Sequence, residues 1–132
     1  MRTRPSSRGY PRVDIGSAVD RLNAIETGWW WNPNEPGRGF FVEVQGASMF
    51  FSGFMYTDDG RSAWYIATGA YSRGVFEGSI VEFGDGQEFG GAWREPRMIA
   101  DRGRVTLATM GDGRVLATMP GGNQSMLTRF AF

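Results

Sequence analysis

Histidine, cysteine and lysine are all missing from the 132-residue chain. Their absence excludes a Ser-His-Asp triad, a Cys nucleophile, a Schiff-base lysine, a disulfide framework and a zinc site built on His or Cys. Any chemistry would have to use Asp, Glu, Tyr, Ser, Thr or Arg. An excess of one charge is missing too: fourteen acids balance fourteen bases, all arginine, so no phosphate-tracking surface is expected and nucleic acid is not an expected partner. Long apolar runs are also lacking, so neither a membrane span nor the core of an export signal is expected. As it stands, the chain is expected to stay in the cytoplasm.

What is abundant is glycine, at 20 residues, and aromatic side chains, at 14%. With little helix-forming sequence, this composition predicts one all-β domain rich in tight turns. Residues 1–12 carry Arg2, Arg4, Arg8 and Arg12 among Pro, Ser and Gly and read as a flexible basic arm. Residues 13–27 read as a short amphipathic helix, with Ile15, Val19, Leu22 and Ile25 near helical spacing, Ser17 as cap and Gly28 as stop.

Residues 28–132 form the expected β-domain. Glycine-rich turns separate short strands over 39–45, 48–57, 61–71, 75–83, 87–94, 97–110 with a bulge at Gly103, 114–119 and 124–132. RVTLATM, GDG and RVLATM read as one hairpin of two nearly identical strands. About eight strands joined by hairpins predict an antiparallel up-and-down meander, which removes its open edges by closing into a barrel. Met49, Phe51, Gly53 and Met55 share one face of their strand, and Phe50, Ser52, Phe54 and Tyr56 the other; Trp64 and Ile66 likewise oppose Tyr65, Ala67 and Tyr71. Neither strand has a polar face. Something is therefore expected to cover the outside, whether the N-terminal helix, an apolar partner or a second copy of the chain, and association of copies as a homo-oligomer is the preferred expectation.

The segment TGWWWNPNEPGRGF, residues 27–40, has two readings. Either its rings and its Glu35 and Arg38 tie the fold together, or Trp29, Trp31, Trp64 and Tyr65 wall a small-molecule site in the barrel mouth, with Asn32, Glu35 and Arg38 as polar anchors. Alternation in an extended chain sets Trp29 and Trp31 on one side and Trp30 on the other. The preferred expectation is non-enzymatic binding of a small, largely apolar or aromatic ligand. The alternatives are a carboxylate-dependent enzyme, performing proton transfer, isomerisation or hydrolysis with an inward Glu43 or Glu77, and a self-assembling subunit. Glu77 and Glu82 fall on opposite faces of their strand. No cofactor or metal is expected: the GDG triplets lack the Lys-Ser/Thr and helix of a P-loop, and Asp58, Asp59 and Asp85 lack a calcium-loop pattern.

GWWWNPNEPGRGF, followed by FVEVQG and YTDDGRSAWY, resembles a pattern found in uncharacterised proteobacterial proteins, in which Trp-Trp-Asn-Pro, Glu and Gly-Arg-Gly-aromatic precede an Asp-Gly-Arg hairpin ending in Trp-Tyr. The resemblance covers Gly28 to about Tyr71 and implies no activity; its members are frequently exported. Trp30-Trp31-Asn32 and Thr68-Gly69-Ala70-Tyr71 are also similar to strand motifs of avidin-like eight-stranded barrels, which implies a shared, calycin-like architecture without biotin binding.

Overall fold

A computed structural model describes residues 23–132. The basic arm and most of the expected helix lie outside these residues. The last part of that expectation, residues 23–27, is turn and irregular backbone rather than helix.

Eight strands close into an antiparallel barrel in strict chain order. They are β1 (Gly28–Trp31), β2 (Gly39–Gln45), β3 (Ser48–Tyr56), β4 (Ser62–Ser72), β5 (Val75–Gly84), β6 (Arg97–Thr109), β7 (Val115–Thr118) and β8 (Gln124–Arg129). Closure is made by β1, whose Trp30 and Trp31 pair with Arg129 and Thr128 of β8. The expected strand at 87–94 is instead part of the β5–β6 loop: Gly90 sits at φ 86° within the Gly90-Gly91 pair, where side chains that favour pairing are absent. The Trp29–Trp31 run supplies the eighth strand in its place.

Alternation then decides what is core. Val42, Phe40 and Trp30 point inward, with Met49, Phe51, Tyr65, Ala67, Phe76, Ile80, Val105, Leu107, Val115, Ala117 and Leu127. Phe40, Phe51 and Phe76 stack across the lumen, with centroids 5.5 and 6.4 Å apart. The interior is therefore packed with side chains, as in other small barrels.

The two ends of the barrel differ. At the end bearing the 46–47, 73–74 and 110–114 turns, residues 23–27 cross the opening and Ile25 is buried in the core. Its N–H donates to Tyr71 Oη at 2.7 Å, and Trp30 Nε1 donates to the Glu26 carbonyl at 2.9 Å. Arg129 completes this seal, binding the Glu26 carboxylate at 2.5 Å with its guanidinium 5.8 Å from the Trp30 ring centre.

At the other end lie the 32–38, 57–61, 85–96 and 119–123 connections. Here β6 contains two register shifts against β5, which skip Arg102 and Ile99. The bulge expected at Gly103 thus falls one residue earlier, and it turns Arg102 toward the barrel axis. Both its Nε and Nη2 reach Glu82 Oε1, at 3.0 and 2.6 Å. Glu82 is the buried charged residue among the described residues, at 5% exposure, and this pairing is what makes its burial tolerable.

Candidate functional site

Outward-facing residues at one level of the wall form an apolar row across six strands. Register aligns Trp31 of β1 with Gly39 of β2, since Trp30 pairs with Phe40. Gly39 pairs with Phe54 of β3, and Phe54 with Trp64 of β4. Trp64 stacks on Phe83 of β5 at 6.2 Å, and Phe83 pairs with Met98 of β6. One step along the barrel, Trp29 packs against Phe41 at 5.1 Å and against Phe54 at 5.8 Å.

Gly39 is a notch in this row. A Cβ placed there would meet no atom within 4 Å, so the position is open space between Trp31 and Phe54. The notch opens into a cleft of about 520 Å³ lined by Trp29, Trp31, Arg38, Phe130 and Phe132, with the largely buried Trp30 and the Gly37–Gly39 backbone between them. That size lies within the ordinary range of small-ligand sites. Trp31 and Phe130 meet edge to face at 4.9 Å, and Phe130 leads to Phe132 at 5.7 Å. A second depression of about 270 Å³, lined by Phe54, Tyr56, Ser62 and Trp64, adjoins it at Gly37.

The 32–38 loop is held rigid by its own polar groups. Glu35 Oε1 accepts from Asn32 Nδ2 at 3.0 Å and from Ser125 Oγ at 2.8 Å, and it is paired with Arg38. The Asn32 carbonyl accepts the Glu35 N–H at 2.9 Å, and its side-chain oxygen accepts the Asn34 N–H at 2.9 Å. This double use of one Asn forms a turn that Pro33 favours. Gly37 follows at φ 100°, a conformation that a side chain would strain. Asn32 and Glu35 are thus spent on shaping the loop, whereas Arg38, also paired with Glu35, borders the cleft.

The residues expected to wall a mouth divide by parity. Trp29, Trp31 and Trp64 lie on the outer wall, with Trp29 at 40% and Trp64 at 47% exposure, whereas Tyr65 is buried inside. Trp29, Trp31 and Arg38 come together at the cleft; Trp64 borders the neighbouring depression, and Tyr65 joins neither. The expectation of an inward Glu43 or Glu77 is corrected by register. Glu43 lies between inward Val42 and Val44 and so faces out, and Glu77 is an exposed partner of Arg104. The inward carboxylate is Glu82, and its signal was legible: it shares the parity of Phe76 and Ile80.

Tyr65 lies near the Glu82–Arg102 pair. Burial, and then the Glu82 charge, hold its phenol above the ordinary tyrosine value, with Arg102 opposing. Beyond the same end, Asp59 is held below the ordinary carboxylate value by hydrogen bonds from Thr57 and Arg61. Among the described residues, no group of three or more acidic side chains is placed to hold a metal ion.

No family model matches the chain, and neither the curated proteins nor the solved structures contain a match to it.

Proposed function

We propose that the chain is a non-enzymatic binding module, and that its site is the outer-wall cleft at Trp29, Trp31 and Gly39 rather than the barrel lumen. The observation that supports this reading most directly is the notch. A row of large apolar side chains is interrupted at Gly39, where space is left open, and a polar network dedicated to the adjacent loop keeps that space in shape. Exposed aromatic surface of this extent marks interaction sites in soluble proteins.

The ligand class follows from the walls. Trp29, Trp31, Phe130 and Phe132 offer ring faces and edges, and Arg38 offers a cation at the rim. A flat apolar or aromatic group carrying a negative charge fits both. The packed lumen and the engagement of Glu82 with Arg102 favour binding over proton-transfer chemistry.

The test uses 1-anilinonaphthalene-8-sulfonate, an aromatic anion whose fluorescence reports an apolar site. Saturable one-to-one binding is expected, weakened at least about tenfold in Gly39→Leu, a loss of about 1.4 kcal/mol. Circular dichroism should show the barrel unchanged in that variant, because the new side chain enters open space. Equal binding by the parent and Gly39→Leu would overturn the assignment.

A further inference from the structure

We infer that the occupant of the cleft is the β5–β6 loop of a second copy of this chain, so that copies associate through two unlike surfaces. This rests on reading the cleft as a binding site, and it names the partner. Phe89, Phe132 and Trp93 are the most exposed large apolar side chains of the described residues, at 108, 100 and 72%. Phe132 belongs to the cleft; Phe89 and Trp93 belong to the loop at 85–96.

That loop is built to display its rings. Arg97 closes its base with two hydrogen bonds to Asp85 Oδ2, at 2.8 and 2.6 Å. Farther out, Gln87 Oε1 accepts the Arg94 N–H at 2.7 Å, and the Gly91 N–H donates to the Glu88 carbonyl at 3.0 Å. A long connection that spends its polar groups on its own shape while leaving a Phe and a Trp in water is more often functional than incidental. Aromatic residues of this kind dominate binding energy once they enter a pocket.

Topology decides which cleft they enter. In a barrel closed in the order β1 to β8, β5 stands opposite β1. The loop leaves β5 and the cleft centres on β1, and Phe89 and Trp93 stand exposed without lining their own cleft, so the contact we infer is between molecules. Chemistry agrees with this pairing. Glu88 and Glu95 outnumber Arg94 around the loop's rings, and the cation at the cleft's rim is Arg38, whose guanidinium has five donors, of which Nη2 serves Glu35. Loop and cleft are different surfaces. Their union is either exchanged reciprocally in a two-fold pair or, if made in one direction only, propagates until it closes into a ring.

Sedimentation of the whole chain over a range of concentrations provides the test, with three arms. The parent is expected to self-associate, to a dimer or beyond. The double variant Phe89→Ser, Trp93→Ser, altered only at exposed side chains, and the variant Gly39→Leu, filled only at the notch, should each need at least about tenfold more protein to associate. Mixed together, these two variants should stop at a one-to-one pair, because one keeps the cleft and the other keeps the loop. A monomeric parent, a dimer indifferent to the loop variant, or loop-dependent binding of the monomer to phosphatidylcholine vesicles would each overturn the inference. If the parent is monomeric and anilinonaphthalene sulfonate still distinguishes it from Gly39→Leu, the cleft stands as a binding site and only the loop is wrong as its occupant.

Discussion

The barrel carries aromatic side chains on both sides of its wall, and the two sets are arranged differently. Inside, Phe40, Phe51 and Phe76 stack at 2% exposure or less. Outside, Trp29, Phe54 and Trp64 touch one another or share a row, yet each keeps 40 to 47% of its surface in water. The inner set is accounted for by the hydrophobic effect alone, since burying such a ring contributes about 1.5–3 kcal/mol. The outer set gains only part of that, and it surrounds a notch rather than filling it. A fold needs the first set; the second leaves open the space that the proposed partner would fill.

Substitutions should separate the two sides. The largest loss of stability is expected from Phe51→Ala, about 3–5 kcal/mol in urea unfolding, because it empties the middle of the stack. Tyr71→Phe should cost about 1–3 kcal/mol by leaving the buried Ile25 N–H without its acceptor, and amide exchange at Ile25 should speed up. Next comes an alkaline effect. Because the folded state raises the Tyr65 phenol, its contribution to stability is complete below the unfolded value of about 10 and is lost as pH rises through the folded one. Tyr65→Phe should therefore flatten the decline in stability above about pH 10. Smallest of all, Glu77→Ala, which breaks the exposed ion pair with Arg104, should change stability by about 0–1 kcal/mol. Gly39→Leu belongs with this last group in stability, yet it should have the greatest effect on binding. That inversion would sharpen the contrast between scaffold and site.

Much of the fold was legible because strand periodicity and glycine-rich turns act locally. The faces of β3 and β4 follow from alternation, and so does the opposition of Trp30 to Trp29 and Trp31. The 87–94 segment misled because short apolar runs resemble strands, whereas pairing depends on a neighbour that only closure supplies. The notch at Gly39 was hidden for a related reason: what makes it a notch is Trp31 on one neighbouring strand and Phe54 on the other, far apart in sequence. Arg102 could not be placed inward by alternation, since the bulge that aims it breaks the period. The polar motif residues carried the clearest sequence signal, and Asn32 and Glu35 turn out to shape the loop between the rings rather than face the space beside it.

The most direct test of the central claim, that the outer wall binds and the lumen does not, is an NMR titration of the indole N–H signals with anilinonaphthalene sulfonate. The account predicts that Trp29 and Trp31 shift in step with saturation, while Trp30, whose Nε1 is tied to the Glu26 carbonyl inside the sealed end, stays in place. A shift at Trp30 with Trp29 and Trp31 unmoved would contradict it and return the site to the lumen.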